Sequence, residues 1–517
     1  MNIVIRTDAS IHIGSGHVMR CLGLAKALRH NGHNVSFASR RQQGDFVDFV
    51  RSEGFKVYEL ITPPEWRTPR NSADYEAWLQ VTWKEDAESL IQAVDSIDLL
   101  IVDHYSLAFD WEVCVKERLQ CKVFAIDDLV RKHHADLILD QTFLRDAEEY
   151  RTLNPTTIIL AGSHFALLKN NFITFRKKAL NIEKPGVKTR VFLSMGGFDV
   201  PNATLQILQV LSKISGKKPL VTVLLSAKAP NYQSVKAFSQ KHLSWVTHID
   251  FTDNMAEVMS FHHVAIGAPG GTAWERACLG IPSVIITLAD NQKTISANLV
   301  KVGAAIDVDV ANIESDFLPA YQAIIKKWSM MRAKNLSVCD GLGLLRIIQS
   351  INSLWTNQPN RITLRPANNS DVRPVFDWQE LPETRKYALN PEIPEWKSHE
   401  KWMCSKLQST YDYFYIIESL LSNERVGALR LDLQADSTYV ISIFIDPKNF
   451  GQGFAKDALA YVDIMHPNAT IVANVLETNI ASQRLFTAAN YQRLKTDKFI
   501  RSPIYRENHE TVYNHQQ

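Results

Sequence analysis

Surplus charge of one sign is missing from this 517-residue chain: 57 Lys and Arg nearly cancel 55 Asp and Glu. Neither nucleic acid nor an acidic membrane surface is therefore expected as a partner. Cysteine is scarce. The six residues Cys21, Cys114, Cys121, Cys278, Cys339 and Cys404 are dispersed, form no CxxC pair and no Cys/His cluster, and so argue against a structural zinc and fit a reducing compartment. No apolar stretch reaches the roughly 18 residues of a membrane span. The opening Met1-Asn2-Ile3-Val4-Ile5-Arg6-Thr7-Asp8 meets charge too soon for a secretory signal and reads as a first strand, which makes the cytoplasm the expected location. Repeats and low-complexity tracts are absent. The first 350 residues hold no carboxylate or histidine grouping with divalent-metal spacing, so no metal is expected.

What is present is enough chain for about three domains, at roughly 100–200 residues each. Up to about residue 350, short apolar runs alternate with helix-period segments, the pattern of a parallel, doubly wound α/β sheet. The strand candidates are residues 35–38, 99–102, 123–126, 137–139, 191–193, 221–225, 264–266 and 284–287. A polar Pro-Gly stretch at 181–189 divides the region into two lobes, 1–181 and 190–355, and ligands of such sheets bind beyond the carboxyl ends of the strands. After a second polar boundary at 356–361 the pattern becomes a meander: strands at 413–417, 426–433 and 440–445, a helix from about Phe454, a strand at 470–473, a helix at 480–489 and a last strand. Residues 361–505 thus read as an α+β domain.

Two glycine loops stand out, each between a strand and a helix. The first is Gly14-Ser15-Gly16-His17, before the helix-period run Val18, Leu22, Leu24, Ala25, Leu28; the second is Lys448-Asn449-Phe450-Gly451-Gln452-Gly453. Positive-φ glycines at a helix start let free N–H groups, aided by the helix dipole, point at phosphate oxygens. A histidine at the rim of the first loop can act as a general base that activates water. Asp8 could orient that imidazole or hold a sugar hydroxyl. Farther on, the amides of Gly270, Gly271 and Thr272 suit a diphosphate, and Glu275, one helical turn later, suits ribose hydroxyls. Asn291 and Gln292, in a polar loop after a strand, are further candidates for binding the same ligand. Asp103, His104 and Tyr105 follow an apolar strand and are expected at the cleft.

The order Arg6-Thr7-Asp8-Ala9-Ser10 … Gly14-Ser15-Gly16-His17-Val18-Met19-Arg20-Cys21 resembles the opening signature of UDP-2,4-diacetamido-2,4,6-trideoxy-β-L-altropyranose hydrolases, the sugar-nucleotide hydrolases of pseudaminic acid biosynthesis. The resemblance continues through Asp103-His104-Tyr105, Ile126-Asp127-Asp128, Gly196-Gly197-Phe198-Asp199 and Gly270-Gly271-Thr272-Ala273-Trp274-Glu275. It implies a GT-B-like pair of lobes with UDP held by the second, His17 as the base that activates water, and Gly14, Ser15, Gly16, Arg20, Asp103 and Tyr105 around the substrate.

Ile441-Ser442-Ile443-Phe444-Ile445-Asp446-Pro447, followed by Lys448-x-x-Gly451-x-Gly453, resembles motif A of the GNAT superfamily of N-acetyltransferases. The usual Arg or Gln of that motif is Lys448 here, which keeps a charge but loses the guanidinium or amide. The resemblance implies acetyl-CoA as cosubstrate, cradled by Lys448, Gly451, Gln452 and Gly453 and contacted by Asn479, while Phe486 replaces the frequent tyrosine acid. Asp432 and Glu477 are candidate bases. Trp396 and Trp402 could shape an acceptor pocket or simply pack.

In pseudaminic acid synthesis, acetylation of the 4-amino group of the UDP-sugar directly precedes removal of UDP, so the two resemblances describe consecutive steps in one chain. A GT-B glycosyltransferase with an accessory acetyltransferase, a non-catalytic UDP-sugar-binding protein and related acylamino sugars, including legionaminic acid precursors, are the competing readings.

Overall fold

A computed structural model of the chain describes residues 1–71, 74–186, 188–197, 199–288, 292–355, 361–435 and 437–504. It separates into two compact units, Met1–Leu354 and Trp355–Gln517. The linker expected at 356–361 lies, up to residue 360, outside the described residues.

The first unit holds two parallel sheets. One is built from β1 (Asn2–Thr7), β2 (Asn34–Arg40), β3 (Lys56–Leu60), β4 (Leu99–Asp103), β5 (Lys122–Ile126), β6 (Leu137–Asp140) and β7 (Ile158–Ala161), in the order β3-β2-β1-β4-β5-β6-β7. The other contains β8 (Arg190–Ser194), β9 (Leu220–Leu224), β10 (Val246–Ile249), β11 (Val264–Gly267), β12 (Ser283–Ile285) and β13 (Ala305–Asp307), in the order β10-β9-β8-β11-β12-β13. Every pairing in both sheets is parallel. In each sheet the order reverses beside the first strand, β1 or β8, so the expected doubly wound lobes are present, and each has its switch point where a ligand crevice forms.

The central strands are apolar because helices cover both faces: every residue of β4 and β11 is buried. The four strands that the apolar-run pattern misses, β3, β7, β10 and β13, are the four sheet edges, and they carry partly exposed residues such as Lys56, Glu59, Thr247 and Asp307. Edge strands are buried less completely, so a search for apolar runs passes over them.

The lobes exchange their last helices. Helix Asn171–Leu180 belongs by sequence to the first lobe, yet Arg176 donates to the carbonyls of Cys278 and Cys339 at 2.5 and 2.9 Å, and Phe172 lies in the core beneath helix Thr272–Cys278. Helix Gly343–Ser353 ends the second half, yet Arg346 donates to the His164 carbonyl of the first at 2.7 Å and is held by Asp340 at 2.6 Å. Both arginines thus donate to backbone carbonyls of the other half.

In the second unit β14 (Ile362–Pro366), β15 (Tyr413–Ser419), β16 (Arg425–Ala435) and β17 (Thr438–Ile445) form an antiparallel meander. β17 then pairs in parallel with β18 (Thr470–Asn474), and β19 (Gln492–Lys495) and β20 (Lys498–Arg501) add a hairpin where one last strand was expected. Parallel pairing of β17 with β18 stops at Ile441 and Ala473, four residues before β17 ends. The two strands therefore splay, and among the described residues the backbone of 442–445 has no strand partner on its β18 side. Trp396 and Trp402 pack against the core of Val375, Met403, Phe414 and Ile416, where their rings meet Phe376 and Phe414. No described helix is long and apolar enough to cross a membrane.

Candidate functional site in the two-lobed unit and the splayed sheet

Register places the carboxyl ends of β1 and β4 side by side, with Thr7 opposite Asp103. The loop after β1 returns on itself: Ser10 pairs with Gly14, the Gly14 amide donates to the Ser10 carbonyl at 2.8 Å, and Gly14 has φ +80°. That turn requires glycine. Gly16 differs from the expectation, because it is the exposed first residue of helix Gly16–His30 rather than a positive-φ position. Ser15 is the N-cap residue, and its Oγ lies 3.6 Å from where a Cβ on Gly197 of the second lobe would stand.

His17, in the first turn, meets Asp103 at 2.6 Å between Nδ1 and Oδ1. Arg20, one turn on, clamps the same carboxylate with Nε and Nη2, both at 2.6 Å. Burial works against the charge on Asp103, but the Arg20 guanidinium and His17 outweigh it and hold the carboxyl far below the ordinary range. An ionised carboxylate only accepts, so the imidazole proton sits on Nδ1 and the lone pair on Nε2. The contact of Arg20 Nη2 with Nδ1 at 3.2 Å is then between two donors and reflects the carboxylate they share. Edge-on rings of Tyr105 at 4.7 Å and Trp78 at 6.5 Å wall the imidazole, which keeps 10% side-chain exposure.

Asp8 is elsewhere. It is fully buried and bound bidentately by Arg6 at 2.7 and 2.9 Å, with further bonds from Ser39 Oγ at 3.1 Å and the Arg40 amide at 2.7 Å. The expected orientation of His17 by Asp8 gives way to orientation by Asp103, because Arg6 turns the Asp8 side chain into the lobe. Arg6 and Arg40 also converge on buried Asp86. Replacing Asp8 with alanine leaves Arg6 short of a partner in this sealed network and should cost about 3–5 kcal/mol, measurable as a fall in the urea midpoint with an unchanged slope. His104 is likewise sealed in, with Nε2 3.6 Å from Asp8, and burial holds it neutral at about 3.

In the second lobe, Gly270 and Gly271 precede helix Thr272–Cys278, and a Cβ on either would meet nothing within 4 Å. Glu275 Oε2 is buried without a hydrogen-bond partner. Burial pushes its carboxyl up to about 7 against the pull of Lys169 and Arg276. An orphaned oxygen beside an open amide turn fits a ligand with paired hydroxyls. Gln292 is occupied, its Oε1 accepting from the Leu288 amide at 3.0 Å, and Asn291 lies outside the described residues. Asp199 caps helix Ala203–Ser212 through the amides of Ala203 and Thr204, both at 2.9 Å, so the glycine turn before it is a strand-to-helix connection. Among the described residues no three His, Cys, Asp or Glu side chains gather as a metal site.

In the second unit Gly451 has φ +77° and Gly453 φ +85°; both are exposed, and Gly453 precedes helix Phe454–Met465. Lys448 and Gln452 are exposed on the same loop. Asn479 Oδ1 caps helix Ile480–Ala488 by accepting from the Ser482 amide at 3.0 Å, which fixes the side chain at the start of that helix. Phe486 is buried, stacked with Phe499 and edge-on to Tyr491. Asp432 is ion-paired with Lys406 at 2.7 Å and Arg430 at 2.8 Å, which removes it as a free base. Glu477 is exposed.

Two domain families match this chain: the glycosyltransferase family 28 C-terminal domain over residues 195–335 and the acetyltransferase (GNAT) domain over residues 361–492. The UDP-2,4-diacetamido-2,4,6-trideoxy-beta-L-altropyranose hydrolase of Campylobacter jejuni is 27% identical over 310 residues, which cover 59% of this chain and 99% of that protein. The two halves are homologous to a sugar-nucleotide hydrolase and to GNAT acetyltransferases. An uncharacterised protein of Methanocaldococcus jannaschii matches both halves together, 22% identical over 96% of this chain and 97% of its own length. A spore coat polysaccharide biosynthesis protein of Bacillus subtilis is 20% identical over 69% of this chain and its whole length.

Tyr75 and Trp78 also stand at this site, and nothing in the sequence marked them; Asp128 was marked by the Ile126-Asp127-Asp128 resemblance, just beyond the end of an apolar strand, but without a role.

Proposed function

We propose that the chain is a bifunctional enzyme of acylamino-sugar synthesis. Its first unit hydrolyses UDP-2,4-diacetamido-2,4,6-trideoxy-β-L-altropyranose to the free sugar and UDP, and its second N-acetylates the 4-amino UDP-sugar precursor with acetyl-CoA. The observation that carries the reading is the Asp103–His17 pair at the mouth of a sheet switch point, in a unit homologous to the hydrolase. Water attacks the anomeric carbon, His17 Nε2 takes its proton, the bond from that carbon to the phosphate oxygen breaks, and UDP leaves with the electron pair. Asp103 stabilises the imidazolium that forms. The amides at Gly270, Gly271 and Thr272 hold the diphosphate, and Glu275 holds the ribose.

In the second unit, the open loop of Lys448, Gly451, Gln452 and Gly453 fits the pyrophosphate of acetyl-CoA, and the unpaired edge of β17 fits its amide-bearing arm. The neutral amine attacks the thioester carbonyl, a C–N bond replaces the C–S bond, coenzyme A leaves with the electron pair as thiolate, and the proton lost by the nitrogen passes through water to that sulfur; placement of the two reactants supplies much of the rate.

Hydrolysis in ¹⁸O-water tests bond choice. Label in the sugar with unlabelled UDP supports attack at the anomeric carbon; label in phosphate, or UMP release, rejects it. The match to a glycosyltransferase C-terminal domain favours a second reading, transfer to another sugar, and UDP release that depends on an added acceptor would establish that instead.

Uridine binding should report Glu275. Ribose hydroxyls donate to the ionised carboxylate, so binding is expected to weaken as pH falls through about 7, with protons released on binding near that value. Glu275→Gln should abolish this pH dependence and weaken uridine about tenfold. Calorimetry with the nucleoside avoids titration of phosphate itself.

A further inference from the structure

β5 ends at Ile126, next to β4 and its terminal Asp103, so the two residues that follow stand at the same mouth as His17. Asp127 turns inward, accepting from Arg131 Nε at 2.8 Å and the Tyr150 hydroxyl at 2.9 Å, and is 1% exposed. Asp128 turns the other way. Its Oδ2 accepts from the Tyr105 hydroxyl at 2.7 Å, and its side chain keeps 20% exposure. Its Oδ1 is buried and has no hydrogen-bond partner.

Arg20 does not supply the missing donor. Its Nε and Nη2 are spent on Asp103, and Nη1 comes no nearer to Asp128 than 4.0 Å, toward the oxygen already held by Tyr105. Burial raises the Asp128 carboxyl above its ordinary range despite Arg20 and Tyr105, as expected for an acceptor short of donors. The surroundings suit a sugar. Tyr105 lies edge-on to His17 at 4.7 Å, and the rings of Tyr75 and Trp78 flank it at 4.9 and 5.7 Å. Apolar walls around one unsatisfied acceptor are the usual makeup of a small-molecule subsite.

We propose that Asp128 is a substrate-binding residue whose Oδ1 accepts a hydrogen bond from an O–H or N–H donor on the sugar ring of the UDP-sugar. This rests on the UDP-sugar reading of the first unit. Asp128 then senses the sugar and not the nucleotide, because uridine and diphosphate are held by the second lobe. Tyr105 fixes the carboxylate by its hydroxyl and leaves the other oxygen for the ligand.

The test uses the full chain carrying His17→Ala, so that bound sugar nucleotide is not consumed, and measures Kd by calorimetry for UDP and for UDP-2,4-diacetamido-2,4,6-trideoxy-β-L-altropyranose. Asp128→Asn keeps an oxygen for Tyr105 and replaces the free one with an amide donor. It is expected to weaken the sugar nucleotide about 10- to 100-fold, leave UDP within about twofold, and keep the thermal midpoint, while Tyr105→Phe has a smaller effect. A 3-deoxy analogue that binds equally to parent and Asn variant identifies a hydroxyl donor; an analogue that still discriminates identifies an amide. Unchanged sugar-nucleotide affinity in Asp128→Asn, or an equal loss in Tyr105→Phe, overturns the proposal and leaves Asp128 as a tether. A parent chain that binds UDP but not the UDP-sugar overturns the substrate reading as well.

Discussion

His17→Ala is expected to lower UDP-sugar turnover by about 10²- to 10⁴-fold while changing UDP affinity little. The proposed base is lost, while the residues proposed to hold the nucleotide, Gly270, Gly271, Thr272 and Glu275, stand in the other lobe, where a Cβ on either glycine meets nothing within 4 Å and Glu275 Oε2 has no hydrogen-bond partner. Asp103→Asn should lose activity with it, since an amide no longer secures the imidazole proton on Nδ1. Asp103 also anchors Arg20, so this second variant is read against its thermal midpoint. UDP release followed enzymatically and UDP binding by calorimetry together check both. Near-normal turnover in the alanine variant would remove His17 from the chemistry.

Gly451→Trp should abolish acetyl transfer and leave hydrolysis untouched. A side chain at Gly451 would meet nothing within 4 Å, so the indole projects into the open loop where the pyrophosphate is placed. The positive φ adds roughly 1–2 kcal/mol of strain, and Gly451→Ala carries that strain without the bulk, which separates blockage from instability. Because the two compact units divide at Leu354 and Trp355, hydrolysis of the diacetamido sugar should proceed at the parent rate in the tryptophan variant. Parallel loss of both activities would mean that the units work as one site.

Burial decided which strands were legible in the sequence. Strands enclosed on both faces, such as β4 and β11, are continuous apolar runs and were legible; the partly exposed edges β3, β7, β10 and β13 were not. Local loop chemistry was legible at Gly14 and Gly451, where a turn with positive φ follows from short-range sterics. Side-chain partnerships across the fold were not. Asp103 lies 86 positions from His17, and nothing in spacing distinguishes it from Asp8, which stands nearer in sequence but is claimed by Arg6. The same holds for Asp432, whose pairing with Lys406 depends on a helix 26 residues away. The docking of helices Asn171–Leu180 and Gly343–Ser353 on the opposite half through Arg176 and Arg346 was hidden for a related reason, since arginine-to-carbonyl bonds leave no mark on hydropathy.

Mass spectrometry of the products formed from UDP-4-amino-4,6-dideoxy-N-acetyl-β-L-altrosamine by the full chain, with and without acetyl-CoA, tests the two-step assignment most directly. With acetyl-CoA the expected products are free 2,4-diacetamido sugar and UDP, formed through a transient diacetamido UDP-sugar that accumulates in His17→Ala. Without acetyl-CoA unchanged amino sugar nucleotide is expected as the main species. Recovery of the amino sugar nucleotide unacetylated in the presence of acetyl-CoA, or of an acetylated sugar nucleotide that the unsubstituted chain never hydrolyses, would contradict the two-step assignment.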